Sequence, residues 1–233
     1  MDYIFGGISE AVRLIVSGDG EFWSIVWLSV KLSTISTLLA SLLGVPAAFF
    51  LVLKRFRGRD MIITVSNSLM SIPTVVVGLL VYAVLSRRGP LGDMGLLFTQ
   101  IAVVIGQTLL ILPVVTSLTV STIRSLDKSV RETASSLGAD KKQQLLIFFS
   151  EARFGVAACL ITAFSRVFAE VGVSMMLGGN LRNYTRTITT AIALETSKGE
   201  FGLSIALGIV LLAVAFAINF TFLKFTKLYR TAE

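Results

Sequence analysis

Histidine is absent from all 233 residues, which removes imidazole metal ligands and histidine-based acid–base catalysis. The single cysteine, Cys159, lies in an apolar run. The chain therefore has no intramolecular disulfide and no cysteine metal cluster. Charge is scarce as well: Asp, Glu, Lys and Arg make up 15% of the chain, where soluble domains carry nearer a quarter. No Gly-x-x-x-x-Gly-Lys-Ser/Thr spacing occurs, so there is no phosphate loop with which to hydrolyse ATP. Residues 1–20 carry Asp2, Glu10 and Asp19 against Arg13 alone, which is not the basic-then-apolar order of a cleaved signal peptide.

What is present is apolar. Hydrophobic residues make 54% of the chain at a mean hydropathy of +0.82. Stretches of roughly 20 of them recur, each able to cross a hydrocarbon core of roughly 30 Å. The composition predicts an all-α integral membrane protein with one domain over residues 1–233. Five spans are expected. The first runs from Phe22 to Leu53, longer than one crossing and bent near Gly44 and Pro46. The second runs from Met61 to Leu85 with Pro73 inside, the third from Leu96 to Leu118, the fourth from Phe154 to Leu177 and the fifth from Phe201 to Phe225. Ahead of them Ile4, Ile8, Val12 and Ile15 step by three or four residues, with Ser9 as a candidate cap. Residues 1–20 therefore read as an amphipathic segment on the membrane surface.

A net charge of +7 and a pI of 9.9 would suggest nucleic acid in a soluble protein. In a membrane protein the basic excess gathers in cytoplasmic loops, and no nucleic-acid partner is expected. Lys54, Arg55, Arg57 and Arg59, then Arg124, Lys128, Arg131, Lys141, Lys142 and Arg153, then Lys224, Lys227 and Arg230 fall on one side. Only Arg13, Arg87, Arg88, Arg182, Arg186 and Lys198 face them. This asymmetry predicts the N-terminus outside, the C-terminus inside and residues 119–153 in the cytoplasm. In that loop Leu126, Val130 and Ala134 share one helical face and Leu145, Leu146 and Phe149 another, with Gly138 free to reverse the chain between them. An amphipathic linker on lipid headgroups would fit this pattern. So would a helix-turn-helix knob entering a groove of a soluble partner.

Glu132-Thr133-Ala134, followed by Gly138-Ala139-Asp140, resembles the EAA motif of ABC importer permeases. In that family the short helix after the motif docks into an ATPase subunit. The resemblance implies a type I importer permease fold with a coupling helix in the 119–153 loop, formed by Glu132, Thr133, Ala134, Gly138, Ala139 and Asp140. Two departures stand out: Thr133 replaces the second alanine, and Ser150-Glu151 stands where many members have Leu-Pro. Without that proline the helix is expected to run on into the fourth span. Met70 to Leu80, Glu170-Val171-Gly172 and Gly178-Gly179-Asn180 resemble segments of molybdate, tungstate and sulfate permeases. Ser86 to Gly92 and Thr189 to Thr196 are most similar to the tungstate branch. The implied function is import of an oxyanion, tungstate first, with molybdate or sulfate as alternatives. The implied assembly is a homodimer with two separate ATPase subunits holding ATP and Mg, and an extracytoplasmic binding protein, in a prokaryotic cytoplasmic membrane. No cofactor or catalytic residue is expected on this chain. A secondary transporter or a membrane scaffold are the competing classes; the former would show acidic coupling residues at several depths or a repeated half.

A divalent tetrahedral anion crosses only along hydroxyls, amides and backbone donors. Asn67, Ser71, Thr74, Ser165, Arg166 and Glu170 are the pathway or gate candidates. Small hydroxyl residues in membrane helices more often serve packing, whereas Arg166 and Glu170 are costly within a span. Four residues apart, these two share a helical face and are placed to pair with each other, to gate, or to meet substrate. In the outer loop Asn180, Arg182, Arg186 and Lys198 are candidates for docking the binding protein, set against plain surface solvation.

Overall fold

The computed structural model describes residues 2–126 and 141–230. Among these the chain forms α1 (Asp2–Ser17), α2 (Gly20–Leu53), α3 (Arg59–Leu69), α4 (Thr74–Leu85), α5 (Gln100–Ser125), α6 (Lys141–Phe168), α7 (Gly172–Gly178), α8 (Ile188–Lys198) and α9 (Phe201–Arg230), plus a 3₁₀ turn at Gly92–Met94. No strand occurs among the described residues. Helices α2, α5, α6 and α9 are each long and apolar enough to cross a membrane, and the bent pair α3–α4 supplies a fifth span.

Asp19 starts α2 by accepting the Phe22 N–H at 2.8 Å, and the helix then continues through Pro46 to Leu53. Its 34 residues make a rod of about 51 Å at 1.5 Å per residue. Within lipid there is little hydrophobic drive between helices, so close approach of small residues decides the contact. Ser29, Ser33, Ser36, Ala40, Gly44 and Ala48 form that stripe along α2 and are buried. A Cβ placed on Gly44 would sit 3.0 Å from Val115 Cγ1 on α5. Helix α5 is the hub of the bundle, packing on α2, α3, α4, α6 and α7. Its Val103, Ile111 and Val115 are wholly buried. Trp23 and Trp27 are exposed near the start of α2, as aromatic residues at a membrane interface are.

Helix α1 begins at Asp2, before Ser9, so Ser9 is not its cap; its hydroxyl instead donates to the Gly6 carbonyl at 2.9 Å. The helix packs on α9. Leu14 and Ile15 close on Phe22, Ile25, Ala206 and Leu207, while Ile8, Val12 and Val16 stay exposed.

Two expected spans are broken. Residues 61–85 are not one rod: α3 and α4 meet at 104°. Pro73 has no N–H to continue α3, and its ring disfavours a helical residue before it. The fourth span ends at Phe168, not Leu177, and the chain turns at Ala169–Val171 into α7. The missing proline at Ser150-Glu151 has the expected effect, for α6 runs unbroken through both residues.

Candidate functional site

The two breaks meet. Helix α3 closes with Met70 N–H on the Asn67 and Ser68 carbonyls, followed by Ser71 N–H on Ser68 at 3.1 Å and Ile72 N–H on Leu69 at 3.3 Å. Helix α4 opens from Pro73, whose carbonyl takes the N–H groups of Val76 at 2.9 Å and Val77 at 3.4 Å. Against this bend lies the second break: a Cβ on Gly172 would fall 3.0 Å from Thr74 Oγ1 and 3.1 Å from Val75 Cγ2. Small residues let α7 come so close. Gly78 on α4 approaches Val173 and Met176, and Gly106 on α5 approaches Val173 and Leu177.

Arg166 and Glu170 do not pair. The spacing argument assumed one helix, and the helix ends between them. Among the described residues no ion pair involves either side chain. Arg166 Nη2 donates to the Met70 carbonyl at 3.2 Å, on the far side of the α3–α4 bend. Its Nε is buried without a partner. Glu170 is buried, and its Oε1 accepts the Val173 N–H at 3.1 Å, capping α7. Thr189 on α8 then fixes the Glu170 carbonyl at 2.7 Å.

Of the other pathway candidates, Asn67 and Ser71 are exposed and Thr74 and Ser165 partly so, all close to this junction in the chain. Irregular backbone and exposed polar groups at span depth are tolerated only against protein or water. At span depth such a junction faces protein or water, not lipid. Asn219 on α9 joins it, donating to Ala215 at 2.9 Å and to Ser165 Oγ at 3.5 Å. Sequence reading passed over Asn219, although a lone amide in an apolar run was signal enough. Buried hydroxyls elsewhere serve packing. Ser36 donates to Gln107 Oε1 at 2.9 Å, and Gln107 Nε2 donates to Ser174 at 3.1 Å. That chain ties α2, α5 and α7 together and leaves nothing facing outward.

At the end of the bundle where α2 begins, the docking candidates cluster around a residue the sequence reading left out, Glu21. Arg182 grips it through two nitrogens, and the carboxylate raises the Arg182 pKa above its ordinary value, first through that hydrogen bond. Arg186 lies 3.9 Å from both Glu21 and Glu195, and Lys198 lies 3.0 Å from Glu195. An open cleft of about 570 Å³ lies among them. Asn180 makes no contact with that cluster among those described; its Nδ2 donates to the Thr190 carbonyl at 3.2 Å. This bond staples the half-buried Asn180 and its loop to α8. The coupling candidates Glu132, Thr133, Ala134, Gly138, Ala139 and Asp140 lie outside the described residues. On either side of them α5 and α6 pack together.

Comparison with known proteins agrees with this arrangement. The family described as binding-protein-dependent transport system inner membrane component matches residues 40–228. A tungstate uptake system permease protein, TupB, of Peptoclostridium acidaminophilum is 41% identical over 94% of this chain and 96% of its own length. TupB of Campylobacter jejuni is also 41% identical, over 94% and 92% respectively. The molybdenum permease ModB of Escherichia coli is more distant, at 25% identity over 83% and 91%. Among solved structures, an inward-facing form of the MetNI methionine ABC transporter superposes with a TM-score of 0.72, covering 90% of this chain and 97% of that one. At 15% identity that likeness speaks to the fold alone.

Proposed function

We infer the working role of this chain from its membership: it belongs to the family of binding-protein-dependent transport system inner membrane components, the permease subunits of ABC transporters. It provides the membrane path of an ATP-driven importer for tungstate, with molybdate and sulfate as the competing anions. The observation that carries the substrate is the gap between 41% identity to two tungstate permeases and 25% to the molybdenum permease.

Residues 1–233 act as one permease domain without catalysis of their own; ATP and Mg belong to a separate ATPase chain. Two copies related by a twofold axis surround the path, each placing its exposed α3–α4 junction toward the other. Asn67, Ser71, Thr74 and Ser165 offer the passing anion hydroxyl and amide groups. These solvate an oxyanion without holding it as a fixed cation would. Arg166 and Glu170 are committed to the backbone at the two breaks and shape the path without lining it. Glu132, Thr133, Ala134, Gly138, Ala139 and Asp140 form the knob that meets the ATPase on the cytoplasmic side. The N-terminus lies outside and the C-terminus inside, in a prokaryotic cytoplasmic membrane. The Glu21 cluster then faces the binding protein, with Arg182 and Lys198 as its exposed cations and Arg186 and Asn180 behind them.

The test is reconstitution in liposomes with an importer ATPase and an extracytoplasmic binding protein from the same organism. Tungstate uptake that needs all three proteins and ATP is expected, with Glu132→Ala and Gly138→Pro each lowering anions moved per ATP. Uptake without the ATPase would overturn the reading. Preference for molybdate or sulfate would overturn the substrate alone.

A further inference from the structure

Arg166 is an expensive residue to place within a span, and the structure uses its charge in an unusual way. Its guanidinium contacts a main-chain carbonyl, that of Met70, at 3.2 Å. Met70 directly follows α3 and stands at the edge of the 104° bend. Carbonyls at a helix C-terminus carry partial negative charge, so a cation there is stabilised. The packing partner of α3 is α5. The Arg166 side chain is what reaches from α6 to the end of α3. The opposite flank of the bend is held separately, for α7 packs on α4 with Gly172 against Thr74 and Val75. One side of the bend thus meets α7, and the other is held by α5 along α3 and by Arg166 at its end.

Helix α6 is 28 residues long and unbroken from Lys141 to Phe168, a rod of about 42 Å. Its first turn starts at Lys141, and Arg166 sits in its last turn. A displacement delivered at Lys141 arrives at Arg166 because packed helices move as units rather than deforming.

We propose that Arg166 is a positioning residue that latches the end of α6 to the Met70 carbonyl, so that a displacement of α6 is converted into a swing of α3 about Ser71–Pro73. This rests on the import reading given above, and it adds the mechanical link between α6 and the path. The link is a contact with two discrete states, made or broken, as coupling between distant sites requires.

The reporter is Ser71→Cys in a Cys159→Ala background, labelled by a membrane-impermeant maleimide in the complete transporter with and without ATP and vanadate. With Arg166 present, trapping should change the labelling rate severalfold. With Arg166→Met that ratio should fall to about one and, on an unmodified Ser71, anions moved per ATP should fall about tenfold, as expected for one lost coupling contact. Arg166→Lys, which restores a cationic donor, should recover part of both. Copurification of the ATPase with each variant confirms that it folds and assembles. An unchanged trapping ratio in Arg166→Met overturns the latch, as does Arg166→Lys behaving no better than Arg166→Met. If the unsubstituted transporter shows no ATP-dependent uptake, the import reading fails instead. Labelling of Ser71→Cys in the purified permease then still decides the latch: equal rates with Arg166 and Arg166→Met overturn it, and a faster rate in Arg166→Met supports it.

Discussion

Gly106→Ala tests whether α7 is held against α5 as described. The added methyl would lie 2.6 Å from Val173 Cγ1 and closer still to Leu177 Cδ1. Both neighbours are wholly buried, so neither side chain has room to retreat. Overpacking of this kind costs about 1–3 kcal/mol, while replacing a helical glycine by alanine returns at most about 1 kcal/mol. A net loss of up to about 2 kcal/mol follows, or several degrees in melting midpoint at about 2–4 °C per kcal/mol for a chain this size. Gly208 on α9 is the internal control, because nothing lies within 4 Å of a Cβ placed there. Gly208→Ala should be neutral or slightly stabilising. Leu177→Ala, which removes the nearer obstruction and leaves Val173, should relieve part of the cost of Gly106→Ala, giving a coupling of about 1 kcal/mol in a double-mutant cycle. The chain supplies its own reporter for the assay: buried Cys159 reacts with a thiol-sensitive dye only as the protein opens. A midpoint raised by Gly106→Ala as much as by Gly208→Ala, or zero coupling to Leu177, would refute the α5–α7 contact.

Two further outcomes are expected. Gln107→Leu removes the two hydrogen bonds that this side chain makes to Ser36 on α2 and Ser174 on α7. At about 0.6 kcal/mol on average and up to about 1.7 for each interhelical bond, the melting midpoint should fall, and Ser36→Ala should add little to it. Glu170→Gln keeps an acceptor for the Val173 N–H, whereas Glu170→Ala loses it at about 0.5–2 kcal/mol. Reconstituted uptake should therefore survive the first change and drop with the second; equal loss in both would mean that the charge, not the cap, matters.

The long spans were legible because α2, α5 and α9 each rest on an apolar run longer than a membrane crossing. Pro73 announced an interruption, yet not its sharpness, since the 104° angle is set by α7 and Arg166 from elsewhere in the chain. The break after Phe168 was hidden altogether. Ala169-Glu170-Val171-Gly172 contains no proline, and the apolar run continues to Leu177. At the break Glu170 caps α7 locally, three residues on, and Thr189 holds its carbonyl from 19 positions away. The Arg166–Glu170 reading failed for the same reason, because four-residue spacing means adjacency only while the helix lasts. Arg182, Arg186 and Lys198 were recognised as a charged surface, but Glu21 lies 161 positions from Arg182 and no local pattern links them.

The bend between α3 and α4 has a consequence for how the protein is made. Its segment leaves the ribosome long before α6, and the Met70 carbonyl receives its guanidinium from a residue 96 positions later. Before then, an opened turn in hydrocarbon would leave main-chain groups unsatisfied, which lipid does not tolerate. The Arg59–Leu85 segment is long and apolar enough to enter the membrane as one span. Its working shape is therefore acquired after insertion, when α6 and α7 arrive beside it, and biogenesis ends with a refolding event inside the membrane.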